Sequence, residues 1–233
     1  MNLPATPCVI SAVFRFDVQG LPRYLSHAEL MRVFQRAAVR AGWPLQFSEG
    51  FNPRPRLSLP FPKPVGIETA GDLCQIRLKK DPGVDDPGYL AVALQRQLPS
   101  GLRITQAWIS AAKDCYHPVL AEYWLAVGPG LDLDQLRVRV QGILQRPSIP
   151  LARQAPKGRT EVDLRPFIDG IDVDDRICVR CRIINGATIR IGEVLELLGL
   201  TVVDLDRPIL RKTVQWTTSA TQQMDRYPWQ ESC

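Results

Sequence analysis

SHAELMRVFQRAAVRAGWP, Ser26 to Pro44, is the stretch from which the rest of the chain can be placed. Ser26 and Glu29 form the S-x-x-E pattern of a capping box, and Gly42 followed by Pro44 supplies a stop. Leu30, Val33, Phe34, Ala37, Ala38 and Ala41 recur at helical spacing on one face. Arg32, Arg36 and Arg40 form a stripe on the other. The pattern predicts an amphipathic helix with an apolar inner side and a basic outer side.

Working outward, CVISAVFRFDV (8–18) alternates as a strand does. After the helix, RLSLPFPKP (56–64) reads as an irregular or edge strand because of its prolines, and GDLCQIRLKK (71–80) as a second strand. DPGYLAVALQRQLPSG (86–101) predicts a helix and LRITQAWISAAK (102–113) a closing strand. The order β-α-β-β-α-β is the split pattern of a ferredoxin-like fold. It then repeats. VLAEYWLAVG (119–128) reads as a strand and LDLDQLRVRVQGILQR (131–146) as a helix. RTEVDLRPFIDGIDVDDRICVRCRII (159–184) carries two β segments around a turn near Asp169-Gly170. TIRIGEVLELLGL (188–200) predicts a helix, with a brief strand at 201–204. The expectation is an α+β protein of two tandem ferredoxin-like (βαββαβ) units, 1–115 and 116–212, followed by a flexible tail, 213–233.

Hydrophobic residues make up 45% and charged residues 23% of the 233, which is ordinary globular composition able to supply a core. No apolar run approaches the roughly 20 residues that span a bilayer. The N-terminus has no basic-then-apolar leader pattern, so the expectation is a cytoplasmic protein with no membrane partner. Six scattered cysteines fit reduced thiols. Cys178 and Cys181 form a CxxC, but in a strand that spacing sends the sulfurs to opposite faces. With two histidines, His27 and His117, and no second CxxC, a zinc site lacks ligands. The acidic cluster Asp169, Asp172, Asp174 and Asp175 does not follow EF-hand order and reads as a solvated turn. There is no GxGxxG, Walker loop, nucleophile elbow or iron–sulfur cysteine triad, so neither a cofactor nor a metal is expected.

The net charge of +5 is uneven. Residues 1–66 hold eight Lys/Arg against three acids, an excess equal to that of the whole chain. Three of the eight cations lie in FSEGFNPRPRLSLPFPKPVG (47–66), where Arg54, Arg56 and Lys63 are threaded among five prolines, with Phe51 nearby. Arginines two apart on an extended segment point to one side, and their forked donors suit phosphate. Tyr24 and Phe51 are candidates to stack a base. Arg32, Arg36, Arg54, Arg56 and Lys63 are candidates to hold phosphates. His27, next to the helix cap, is a candidate general base; its other reading is a neutral histidine completing the cap. The prolines have a plainer role too, as guards of a sheet edge. In the second half, Lys157-Gly158-Arg159 reads as a basic turn.

Two segments resemble a known family. RYLSHAELMR (23–32) and PLQFSEGFNPRPRLSLPFPKPVGIE (44–68) are similar to the YLSHxxLMR and PLxxSxGFNPxPxxSxxxPxPVGxE segments of the radical-SAM-linked domain family of unknown function. The match runs through Tyr24, Leu25, Ser26, His27, Leu30, Met31, Arg32, Ser48, Gly50, Phe51, Asn52, Pro53, Pro55, Ser58, Pro64, Gly66 and Glu68. KGRTEVDLRPFI (157–168) and IRIGEVLELLGL (189–200) resemble the second half of that family. The resemblance implies association with B12-binding-type radical SAM proteins, here acting in trans, and it hands over no catalytic residue. The first expectation is therefore a non-catalytic accessory protein that binds tRNA or rRNA and works with a radical SAM modification enzyme. The alternatives are a docking module for such an enzyme without RNA binding, and a metal-independent endoribonuclease using His27.

Overall fold

The computed structural model describes residues 9–79, 85–155 and 158–218. They form a mixed α+β protein that divides into two compact units between His117 and Pro118. The second unit closes at Trp216.

In the first unit the strands are β1 (Val9–Val18), β2 (Leu57–Ser58), β3 (Glu68–Lys79) and β4 (Leu102–Ala111), and the helices α1 (His27–Arg40) and α2 (Pro87–Gln95). Their sheet order is β4-β1-β3-β2. β1 pairs antiparallel with β3 (Phe14 opposite Cys74) and with β4 (Phe14 opposite Ala107). Alternation sends Ala12, Phe14 and Phe16 to one face with Cys74, Ile76 and Leu78. Leu30, Phe34, Ala37 and Ala38 of α1 and Leu90 and Leu94 of α2 bury the same face. Phe16 meets Phe34 edge-on with ring centroids 4.7 Å apart, and Phe14 stacks parallel on Trp43 at 5.7 Å. At the start of α1 the Ser26 N–H donates to Glu29 Oε2 at 2.8 Å, and Glu29 N–H donates to Ser26 Oγ at 3.3 Å. This capping box satisfies two of the helix's orphan donors.

In the second unit, β5 (Tyr116–Leu125) and α3 (Leu133–Gln145) are followed by a ribbon, β6 (Pro150–Ala155) and β7 (Gly158–Asp163). Then come β8 (Ile168–Val173), β9 (Ile177–Arg182), α4 (Ile191–Leu198) and β10 (Leu210–Thr218). The main sheet runs β10-β5-β9-β8, and the β6–β7 ribbon stands apart from it. Leu136, Val140 and Ile143 of α3 are buried, as are Val194, Leu195 and Leu198 of α4.

Several sequence expectations change. The Pro-rich strip contributes only Leu57–Ser58 as strand, because Pro55, Pro60, Pro62 and Pro64 have no N–H to give a ladder. Asp169-Gly170 is not a turn: it lies inside β8, and the chain reverses at Asp174–Arg176. A Cβ on Gly170 would sit 2.5 Å from the Arg180 guanidinium, so this glycine serves a close approach rather than a reversal. The strand expected at 201–204 is a 3-10 turn, Val202–Asp204. The last strand comes later and runs through residues assigned to a tail, with Val214 and Trp216 buried; residues 219–233 lie outside the described residues. β6 is new. Lys157 of the expected basic turn lies outside the described residues, and Gly158 opens β7.

An ion pair fastens the β6–β7 ribbon. Arg153 donates from Nε to Glu193 Oε1 at 2.8 Å and from Nη2 to Glu193 Oε2 at 2.7 Å, with both side chains largely buried. Arg190 N–H also donates to Glu193 Oε2 at 2.8 Å. Burial works against the charged carboxylate, but the bonds from Arg153 and Arg190 outweigh it and hold the carboxyl below its ordinary value. The stabilisation is thus fully present above the unfolded pKa, near 4.5, and is lost as pH falls through the lowered folded value. In urea titrations at pH 7, Glu193→Gln should cost on the order of 2 kcal/mol. Its gap to wild type should narrow steadily as the pH is taken below about 4, because the wild-type carboxyl is then protonated too.

Candidate nucleic-acid interface

Between α1 and β3 the chain makes a small hairpin on the edge of β3. Gln46 N–H donates to the Arg77 carbonyl at 2.9 Å, Arg77 N–H to the Arg56 carbonyl at 2.9 Å, and Arg56 N–H to the Gln46 carbonyl at 2.8 Å. Farther out, Ser48 N–H donates to the Arg54 carbonyl at 2.8 Å, and Arg54 N–H to Ser48 Oγ at 3.0 Å. Phe47 bridges Pro55. The tip is Glu49-Gly50-Phe51-Asn52-Pro53, with Gly50 at φ 112, a conformation that L side chains rarely adopt.

Phe51 stands at this tip with a relative exposure of 105%, meaning that neither face of its ring meets the protein. Arg54 and Arg56 follow on the outgoing arm. Both are exposed and lie on one side of it, with Pro55 on the other. Neither side chain makes an ion pair or hydrogen bond among the described residues. The hairpin is therefore an apolar ring followed by two unneutralised guanidinium groups, held on a hydrogen-bonded frame.

Other expected contributors lie elsewhere in the first unit. Arg32 and Arg36 are exposed on the outer face of α1, and α1 packs against β2, the strand that follows Arg56. The helix stripe does not continue to Arg40, which bends to the end of α2 and donates from Nη2 to the Gln97 carbonyl at 2.6 Å. Tyr24 is exposed, but the Arg23 guanidinium lies 4.5 Å from its ring centroid and donates to its hydroxyl at 2.8 Å. Sequence reasoning passed over Arg23; the signal was a cation directly preceding the tyrosine. His27 has its pKa lowered by burial, and its Nδ1 has no hydrogen-bond partner among the described residues. A neutral imidazole offers phosphate no charge near pH 7.

Lys63 requires a correction. It is 4% exposed, and its Nζ donates to the Arg23 carbonyl at 2.6 Å and the Pro64 carbonyl at 3.0 Å. An ammonium so placed cannot reach an external phosphate. It instead ties the Pro-rich strip to the 3-10 turn Leu21–Tyr24, a tie repeated by Gly66 N–H donating to Arg23 O at 2.9 Å. The sequence showed a basic residue between prolines, but not which way its long stem would fold.

In the second unit three carboxylates of the acidic cluster are spent on arginines: Arg182 and Arg180 pair with Asp169, Arg180 with Asp172, and Arg176 with Asp175. Cys178 and Cys181 occupy opposite faces of β9. Burial pushes the Cys178 thiol up to about 11 and the Cys181 thiol up to about 12. These are protonated, unreactive thiols near neutral pH. Among the described residues no group of three or more His, Cys, Asp or Glu is placed to hold a metal, and no helix is long and apolar enough to cross a membrane.

Residues 12–194 match a family of uncharacterized proteins conserved in bacteria, DUF2344. The chain belongs to that family. The DUF2344 match extends from β1 into α4, so it contains the whole hairpin, the capping box of α1 and the Arg153–Glu193 pair. No curated protein matches the chain.

Because Lys63 carries structure, Lys63→Met should lower stability by about 1–3 kcal/mol in chemical denaturation. An interface cation would instead leave the midpoint unmoved when replaced.

Proposed function

We propose that this protein is an RNA-binding accessory factor, acting on tRNA or rRNA together with a radical SAM modification activity. The hairpin carries the reading: Phe51 stands free in solvent, and the Arg54 and Arg56 charges beside it are unneutralised. Guanidinium groups on a braced strand lose little freedom on gripping phosphate, and their forks match its oxygens. Arg32 and Arg36 extend the positive surface along α1. The radical SAM partner rests on the resemblance of the 23–32 and 44–68 segments.

The same reading makes each unit ferredoxin-like. Strand orders β4-β1-β3-β2 and β10-β5-β9-β8 each place the first strand of a unit between its third and its last, as βαββαβ winding requires, with the β6–β7 ribbon inserted in the second. Paired units of this shape occur in RNA-handling proteins, which supports the assignment by analogy only.

A second reading, a docking module for the radical SAM partner without RNA binding, is favoured by one observation. Leu21 and Val65 are exposed beside Tyr24, and the Gly66–Arg23 bond holds these apolar side chains at one junction.

Fluorescence anisotropy with bulk tRNA separates the two. Four arginine–phosphate contacts predict about a 50- to 150-fold loss of affinity between about 50 and 200 mM salt. Arg54→Ala/Arg56→Ala should weaken binding and flatten the log–log salt slope by about 2. An absence of tRNA binding at the lower salt would overturn the RNA reading and leave the docking module.

A further inference from the structure

We infer that the hairpin recognises a single-stranded segment, with an unpaired base stacked on Phe51 and the neighbouring phosphates on Arg54 and Arg56; this rests on the RNA reading above. Phe51 has no contact that would explain it as part of the core. Its neighbours at the tip are Glu49, Gly50, Asn52 and Pro53, and it is the one aromatic side chain among the five. An isolated ring held out in water gains most by meeting another flat apolar surface, and every base has one.

That surface is available only in an unpaired base. In a duplex each base already has a neighbour on both faces. The A-form major groove is deep and narrow, and the minor groove displays base edges rather than faces. A duplex could meet the arginines through its phosphates, but it would leave the ring in water. Single-strand preference therefore follows from where the ring stands, and affinity for phosphate from the two charges.

The frame behind the tip makes this a preformed site. Ser48 and Arg54 close the loop through two hydrogen bonds, and the Gln46–Arg77–Arg56 bonds fix its base to β3. The two arms that carry the loop are thus fixed, while the ring itself, which touches nothing, gives up its rotamer freedom only on stacking. Tyr24 is a poorer platform, because the Arg23 guanidinium already lies over it at 4.5 Å. Arg54 and Arg56 lie two residues apart on an extended arm, so their Cα atoms are separated by roughly 6.6 Å. That places two guanidinium groups along one strand rather than across a groove.

The chemistry recognised is an unpaired ring next to phosphodiesters, which RNA and single-stranded DNA share. The test is anisotropy at low salt on four probes of equal length: an RNA strand, that strand annealed to its complement, a DNA strand of the same sequence, and a fully abasic phosphodiester strand. Wild type should bind the RNA strand more tightly than the duplex or the abasic strand. Phe51→Ala should weaken the RNA strand by about tenfold and leave the duplex and abasic strand unchanged. Phe51→Trp should restore wild-type affinity, since it keeps a ring at the tip. Phe51 supports no core, so these variants should show the circular dichroism and melting of wild type.

Equal affinity for strand and duplex, with Phe51→Ala without effect, would overturn the inference and leave a phosphate grip of the kind proposed above. Failure of wild type to bind any probe would remove the RNA reading, and this inference with it. A DNA strand bound as tightly as RNA would support the stacking inference while setting aside the assignment to RNA.

Discussion

Arg77 turns its backbone away from β1. Its carbonyl takes the Gln46 N–H, and its own N–H goes to the Arg56 carbonyl. Arg77 lies opposite Ser11 in the β1–β3 register, so these bonds face the other edge of β3. An open strand edge is a template for unwanted pairing. Here the protein's own chain occupies it from Leu45, bridged to Leu78, through Ser58, paired with Gln75. The hairpin is thus fixed by the backbone of a central strand, and everything at its tip depends on that attachment.

Edge protection and recognition are then properties of one segment. The prolines limit how far the segment can pair, so it adds two residues of strand and diverges. Upstream of that strand, the bonds of Gln46 with Arg56 and of Ser48 with Arg54 close the hairpin and leave Glu49–Pro53 in water. Farther along, Lys63 folds back onto the Arg23 carbonyl and closes the strip against the turn that precedes α1. Two of the three basic residues in the strip face solvent, and the third faces in.

The first unit was largely legible in the sequence. The Ser26/Glu29 box, the Gly42 stop and the alternation of 8–18 each report a local preference that packing does not overturn. The second unit was less so. β6, PLARQA, shows no apolar alternation; the ribbon is secured by the Arg153–Glu193 pair, and an ion pair between residues forty apart leaves no periodicity. Gly170 misled for a related reason: a glycine after an aspartate signals a turn, yet here the missing Cβ makes room for Arg180. At the site, Arg54 and Arg56 could be read from strand alternation. The inward turn of Lys63 and the cation over Tyr24 depend on contacts between segments and could not.

The bonds at the base of the hairpin form a closed triangle through Gln46, Arg56 and Arg77, each residue giving one N–H and lending one carbonyl. Each of the three segments is thereby bonded to both of the others. Amide hydrogens at these three positions, each bonded across the frame, are protected from exchange by it. The solvent-facing amides of the tip, by contrast, trade protons without that protection. A segment that protrudes from the sheet in this way is protected at its root and open to exchange at its end.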